Sequence, residues 1–229
     1  DGTTALTVTT AGASNGTGSG LAGVKNQLVA GDVYTFAETT PAHGHVISAL
    51  TDSYANASLN SDGSLDIKIG TDGKLYYRVA DGGTDSDWST AVTDNQLVIK
   101  DKENDITLSK LGADNKALAG AVFTIAGDFV NVSSTEIDTN GNYKRVTDGT
   151  TTGENGSITW TSAGSADSGT LLGRMIAGES YTFTETVIPA GYEKINDFKL
   201  IMNTDGSVTL DNSTGTTGQV SVVSGTDVT

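Results

Sequence analysis

Apolar and polar residues alternate with a period of two all along this chain in short runs of three to six residues. The runs are Ala5–Thr9, Val33–Glu38, Leu65–Ile69, Leu75–Val79, Leu97–Asp101, Ile106–Lys110, Ala121–Ile125, Ser157–Trp160, Tyr181–Glu185, Phe198–Met202, Val208–Leu210 and Val220–Val223. Successive side chains on a strand point to opposite faces, so this spacing predicts half-buried strands. Between the runs lie Asp62-Gly63, Asp72-Gly73, Asp81-Gly82, Asn140-Gly141 and Asp205-Gly206, dipeptides suited to tight turns. Helical periodicity is hard to find. The pattern predicts an all-β chain arranged as an array of β-sandwiches.

The chain also repeats itself. The run Gly31-Asp-Val-Tyr-Thr-Phe-Ala-Glu-Thr-Thr-Pro41 matches Gly178-Glu-Ser-Tyr-Thr-Phe-Thr-Glu-Thr-Val-Ile-Pro189, with one inserted residue. Asn60-Ser-Asp-Gly-Ser-Leu65 matches Asn203-Thr-Asp-Gly-Ser-Val208, and Leu6–Gly12 resembles Ile158–Gly164. The offset of the longest match is about one domain length. The expected division is therefore 1–104 and 105–229. By this register the first repeat lacks its opening strands and the second lacks its last strand, as in a segment of a longer array.

Composition removes several function classes. The formal net charge is −15 and the pI about 4.2, which disfavours nucleic acid and anionic membrane surfaces as partners. There is no cysteine, so disulfides, thiol catalysis and Cys-based metal sites are excluded. No apolar run reaches membrane-spanning length, and the first residues do not read as a leader. His43-x-His45 has no third histidine to complete a zinc site, and it reads as a loop. The cluster Asp81, Asp85, Asp87 does not have EF-hand spacing. Trp88 and Trp160 read as strand residues, with sugar stacking as the alternative. No metal or other cofactor is expected, and no nucleophile elbow, phosphate loop or dinucleotide motif occurs.

The same alternation places charges on core-facing stripes. Tyr181, Phe183 and Glu185 share a face, as do Tyr34, Phe36 and Glu38. Ile106 and Leu108 share one with Lys110, and Leu97 and Ile99 share one with Asp101. Buried charges must pair, neutralise or react, unless these positions merely cap strands at the solvent edge. Burial favours the neutral forms of amines and carboxyl groups, and a neutral amine beside an acyl carbon is a nucleophile beside its electrophile.

The segments Ile106-Thr-Leu-Ser-Lys110, Ala117–Ile125 and Tyr181-Thr-Phe-Thr-Glu185-Thr-Val-Ile-Pro189-Ala-Gly-Tyr192 resemble the Cna B-type, or SpaA-type pilin, domain of Gram-positive surface proteins. The Thr-Glu-Thr-x-x-Pro-x-Gly-Tyr run is similar to that family's E-box. The resemblance covers nearly all of 105–229 and, without its opening third, 1–104. It implies a reversed immunoglobulin-like sandwich. It also implies an isopeptide between a first-strand Lys and a last-strand Asn or Asp, catalysed by the E-box Glu. Carried over, Lys110 matches the nucleophile and Glu185 the catalytic acid of the second repeat; Glu38 and Asp101 match the acid and acceptor of the first. The first repeat departs from the pattern. It has no matching lysine, since Lys25 sits in the wrong element, and Pro-Ala-His-Gly-His replaces the end of its E-box. The second repeat shows no last-strand acceptor, with Asn212 or Asn104 as fallbacks. Neither bond is then expected to close within this chain.

The resemblance implies a non-enzymatic structural stalk on the cell-wall-anchored surface of a Gram-positive bacterium, outside the cell. Its partners would be neighbouring repeats or protomers of the same fibre. The alternative is an adhesin module that binds a host glycan or protein.

Overall fold

A computed structural model describes residues 27–47, 54, 56–79, 88–89, 91–95, 97, 101–137, 143–153, 156–211, 219–224 and 227–228. The expectations at Ala5–Thr9, Lys25, Asp81-Gly82, Asp85, Asp87, Asn140-Gly141 and Asn212 lie outside these residues. The strands in chain order are β1 (Val33–Phe36), β2 (His45–Val46), β3 (Leu65–Ile69), β4 (Leu75–Tyr77), β5 (Lys102–Glu103), β6 (Thr107–Leu108), β7 (Ala119–Gly127), β8 (Val130–Ile137), β9 (Tyr143–Thr151), β10 (Gly156–Ala163), β11 (Ser180–Val187), β12 (Phe198–Met202), β13 (Val208–Asp211), β14 (Val222–Ser224) and β15 (Asp227–Val228). Apart from a short helical turn at Thr93–Asn95, the described residues are strand and loop, so the protein is all-β.

Two compact units result. The first comprises Asp1–Thr39 with Ser48–Lys100, and the second Thr40–Ile47 with Asp101–Thr229. In the first unit β1, β3 and β4 form an antiparallel sheet with β3 in the centre. One face packs Phe36, Leu65, Ile67 and Tyr77 around Ala57. The other face carries Asp66, which bonds Thr35 and the Arg78 guanidinium, and Lys68, whose Nζ lies 4.2 Å from the centre of the Trp88 ring.

The second unit is built around a five-stranded antiparallel sheet in the order β10-β7-β11-β12-β13. A small sheet, β14-β15-β6, contributes to the same core, with β15 parallel to β6. Alternate residues of β7, β11 and β12 meet Ile106, Leu108, Val220 and Val228 in one apolar cluster. Each large aliphatic or aromatic side chain so buried stabilises the fold by roughly 1.5–3 kcal/mol. Tyr181 is buried in this core, yet its hydroxyl donates to Asp128 O (2.8 Å) and accepts from Ile176 N–H (2.6 Å). Burial raises the phenol above its usual pKa of 10.0, which keeps it protonated and able to donate. The paired strands β8 and β9 form a separate two-stranded ribbon.

The repeated Asn-x-Asp-Gly-Ser segments fold alike. Asn60 N–H donates to Ser64 O and Gly63 N–H to Asn60 O; Asn203, Ser207 and Gly206 make the same two bonds. In both, the aspartate accepts from the serine amide and hydroxyl, and the asparagine amide donates to the serine hydroxyl. The glycines have φ of +84° and +85°, the left-handed region that glycine occupies without a Cβ penalty. The matched aromatic strands nevertheless find different partners. β1 pairs with the strand that follows its turn, and β11 with the strand that precedes its own.

In these turns the bonds from Ser64 and Ser207, hydroxyl first and then amide, hold the carboxyls of Asp62 and Asp205 below the ordinary value of 3.8. A depressed folded-state pKa means that the stabilisation is fully present above 3.8 and is lost as pH falls through the folded value. Asp205→Ala should therefore lower the thermal midpoint at neutral pH, with the gap to wild type closing below pH 3.8. A gap that stays constant through the acid range would show that the carboxylate charge plays no part.

Candidate functional site

Lys110 follows β6 at the point where the chain leaves the small sheet. Ser109 N–H donates to Val228 O, and Lys110 O accepts from Leu118 N–H, so the residue is fixed on both sides. Ile106 and Leu108, on the same face, are 1% and 3% exposed, and the Lys110 side chain is 13% exposed. Across the core, β11 buries Tyr181, Phe183 and Glu185 on one face, and no part of the Glu185 side chain is exposed. The alternation read from the sequence thus brings two charged groups to one place. Lys110 Nζ lies 3.4 Å from Glu185 Oε1, and 5.8 Å from the centre of the Phe123 ring.

The run after Glu185 holds that carboxylate. Glu185 is paired with Phe123 of β7, and a bulge follows before Val187. Thr186 Oγ1 donates to Val122 O (3.1 Å), and Tyr192 N–H closes a turn onto Pro189 O (3.2 Å). The chain then returns so that Ile195 N–H donates to Glu185 Oε2 (3.0 Å). One carboxylate oxygen is oriented by a backbone amide, which leaves the other directed at the amine. The Tyr192 hydroxyl lies so close to Gly112 that a Cβ there would come within 2.8 Å of it. A cavity of about 530 Å³ opens beside Lys110, lined also by Phe123, Trp160, Phe183, Phe198 and Val228 among others.

The other sequence-derived candidates are not members of this ion pair. Glu38 falls in the first unit, two residues beyond β1 and half-buried. Asp101 falls in the second unit, just before β5, and its Oδ1 is buried with no hydrogen-bond partner. Asn104 is buried with its amide engaged at both ends by the Met175 backbone. Trp160 is a core residue, 4% exposed, whereas Trp88 is partly exposed. Sequence reasoning missed the Ile195 amide, and a backbone donor leaves no residue-type signal to find.

Residues 104–214, just under half of the chain, match the family described as "SpaA: Prealbumin-like fold domain". No curated protein matches. Among solved structures, the chain is similar to the pilus adhesin SpaC of Lactobacillus rhamnosus GG, with 17% identity and a TM-score of 0.33 over 72% of this chain and 21% of that one. It is also similar to the C-terminal fragment of SpaC (17%, TM-score 0.32, 72% of this chain and 66% of the fragment). A mutant of the shaft pilin SpaA from the same organism gives 18% and a TM-score of 0.31 over 75% of this chain and 65% of that one. The chain thus spans about a fifth of the length of the SpaC adhesin.

Removing one member of a buried ion pair leaves the other charge uncompensated. Lys110→Ala should therefore destabilise the protein by about 3 kcal/mol, as read from the denaturant midpoint. The double variant Lys110→Met/Glu185→Gln should recover more than half of that loss. A single-variant loss within about 0.5 kcal/mol of zero would mean that the pair contributes no more than an exposed salt bridge.

Proposed function

We propose that this chain is a stalk segment of a pilin-type protein on the wall-anchored surface of a Gram-positive bacterium. Its SpaA-type domain is fastened by an autocatalytic isopeptide at Lys110. The observation that carries the reading is the buried Lys110–Glu185 pair at 3.4 Å, at the open end of a parallel strand pair. β15 sets Val228 opposite Leu108, so the position two residues beyond Val228 falls opposite Lys110 and on the same face. An asparagine or aspartate at that position is the proposed acceptor.

In the proposed step Glu185 takes a proton from the Lys110 ammonium, and the amine attacks the acceptor's side-chain carbonyl carbon. The new C–N bond forms as the acceptor's own C–N bond breaks; the departing NH2 group takes the second proton shed by the attacking amine and leaves as ammonia, and Glu185 returns the first proton to it, giving ammonium. With an aspartate acceptor the leaving group is water. The amide carries no charge, which lowers the cost of burial. It would close a loop of about 120 residues and restrict the unfolded chain by roughly 4–5 kcal/mol. Each domain consumes its own side chains once, so this is not enzymatic turnover.

Glu38 and Asp101 are the proposed acid and acceptor of a first repeat spanning 1–104, their lysine coming from outside this chain; 105–229 is the second repeat. The partners are neighbouring repeats or protomers of one fibre. Among the described residues, no helix is long and apolar enough to cross a membrane.

An asparagine appended directly after Thr229 tests the register. The denatured mass of that chain should fall by about 17 Da through loss of ammonia. The loss should vanish in Lys110→Ala and Glu185→Gln versions, and the 229-residue chain should keep its full mass. An unchanged mass in the extended chain, or a Lys110–Asn212 bond in the shorter one, would overturn the assignment.

One observation favours the adhesin alternative. Tyr76, Lys68, Arg78 and Trp88 gather on the outer face of the first unit's sheet, with both cations within 5 Å of the Trp88 ring centre. Saccharide binding there would shift Trp88 fluorescence, and Lys68→Ala would abolish the shift. No response to neutral or acidic sugars at millimolar concentration would remove this reading.

A further inference from the structure

Residues 40–47 lie in the second unit, although the chain on both sides of them, up to Thr39 and from Ser48, belongs to the first. Their seat is specific. Gly44 N–H donates to Met175 O (3.1 Å), and Gly44 O accepts from Asn104 N–H (2.9 Å). His45 and Val46 pair antiparallel with Glu103 and Lys102, and Ile47 N–H donates to Thr204 O (3.1 Å). Val46 is buried against Gly206, where a Cβ would come within 3.1 Å of Val46 Cγ1. At Gly44, φ is +78°, and a Cβ would lie 2.4 Å from the backbone oxygen of Gly173. Only glycine fits there.

The centre of the seat is Asn104, 1% exposed. Its Nδ2 donates to Met175 O (2.6 Å), its Oδ1 accepts from Met175 N–H (3.3 Å), and its backbone oxygen accepts from Gly173 N–H (2.7 Å). Asn104 therefore joins the strap to the turn at 171–176, two residues ahead of Ile106, the first core residue of the lysine-bearing segment.

We propose that residues 40–47 are a latch. The strap docks by strand addition in a groove formed by Lys102–Asn104, the 171–176 turn and the Asn203–Ser207 turn, and it fixes the start of the lysine-bearing segment. The groove accepts an extended segment with a glycine of positive φ where the backbones touch and an apolar residue two places later. Tension drawn through Asp101 meets the Asn104 bonds before it reaches Ile106. The use of the latch under load rests on the stalk reading, but its existence does not.

Amide hydrogen exchange on the full chain tests it. Gly44→Ala introduces both the clash and the strain, and Val46→Asp removes the apolar anchor without backbone strain. Both should speed exchange at Asn104, Gly173 and Met175 at least about tenfold while the amides of β11 stay protected. Gly63→Ala is the control: its φ is also positive but no atom lies within 4 Å of the added Cβ, so these three amides should not change. Unchanged exchange in both strap variants would overturn the latch. An equal rise across β11 would also overturn it, because the strap would then be part of the core. The mass shift of the asparagine-extended chain reads the isopeptide separately, so either proposal can fail alone.

Discussion

The second unit is organised around one carboxylate that cannot reach water. β11 has a pleat that repeats every two residues, so the register that buries Tyr181 and Phe183 also buries Glu185. Shifting the strand by one residue would free the charge only by expelling both aromatics. The fold therefore has to meet the carboxylate where it lies: the Ile195 amide donates to Oε2, while Oε1 accepts no hydrogen bond and faces the Lys110 ammonium at 3.4 Å. The bulge after Glu185, the turn at Pro189–Tyr192 and the close approach of Tyr192 to Gly112 accompany the return of the chain that brings the Ile195 amide to it.

Much of this was legible because burial and alternation are coupled in a two-faced sheet. The expected runs Leu65–Ile69 and Phe198–Met202 coincide with β3 and β12, and the Asp-Gly turns at 62, 72 and 205 occur where they were read. Lys110 and Glu185 were found as charges at the ends of apolar stripes. What escaped notice lacks that coupling. β8 and β9 carry Thr, Ser, Asn and charged residues in both phases, so no apolar face announces them. β2 and β5 are two residues each, too short to show a period. The pairing at Lys102–Glu103 has as its partner a strap distant in sequence rather than a neighbouring hairpin, and most of the run expected at Leu97–Asp101 lies outside the described residues.

The internal repeat shows where sequence similarity carries over into structure and where it does not. The five-residue Asn-x-Asp-Gly-Ser turn is closed by its own side chains, so it forms identically in both units. Strand pairing is chosen by the rest of the sheet, and β1 and β11 choose differently despite their matching Tyr-x-Phe-x-Glu sequences. Local hydrogen bonding is portable; pairing depends on which strands surround the copy.

β6 makes clear why fastening matters in this architecture. Its ladder with β15 is only two residues long, and on the other side a single bridge joins Leu108 to Asp167 through two backbone hydrogen bonds. Ile106 and Leu108 anchor it in the core, but apolar burial is non-directional and does not by itself resist sliding along the strand. Further polar contacts flank the strand. Asn104 stands before it with a buried amide bonded twice to Met175, and Lys110 stands after it against Glu185. In a chain without cysteine, a disulfide is not available to do this work. A short strand held at both ends by buried polar contacts yields only when a buried group is left unsatisfied, and that penalty falls at the first step of pulling rather than at the last.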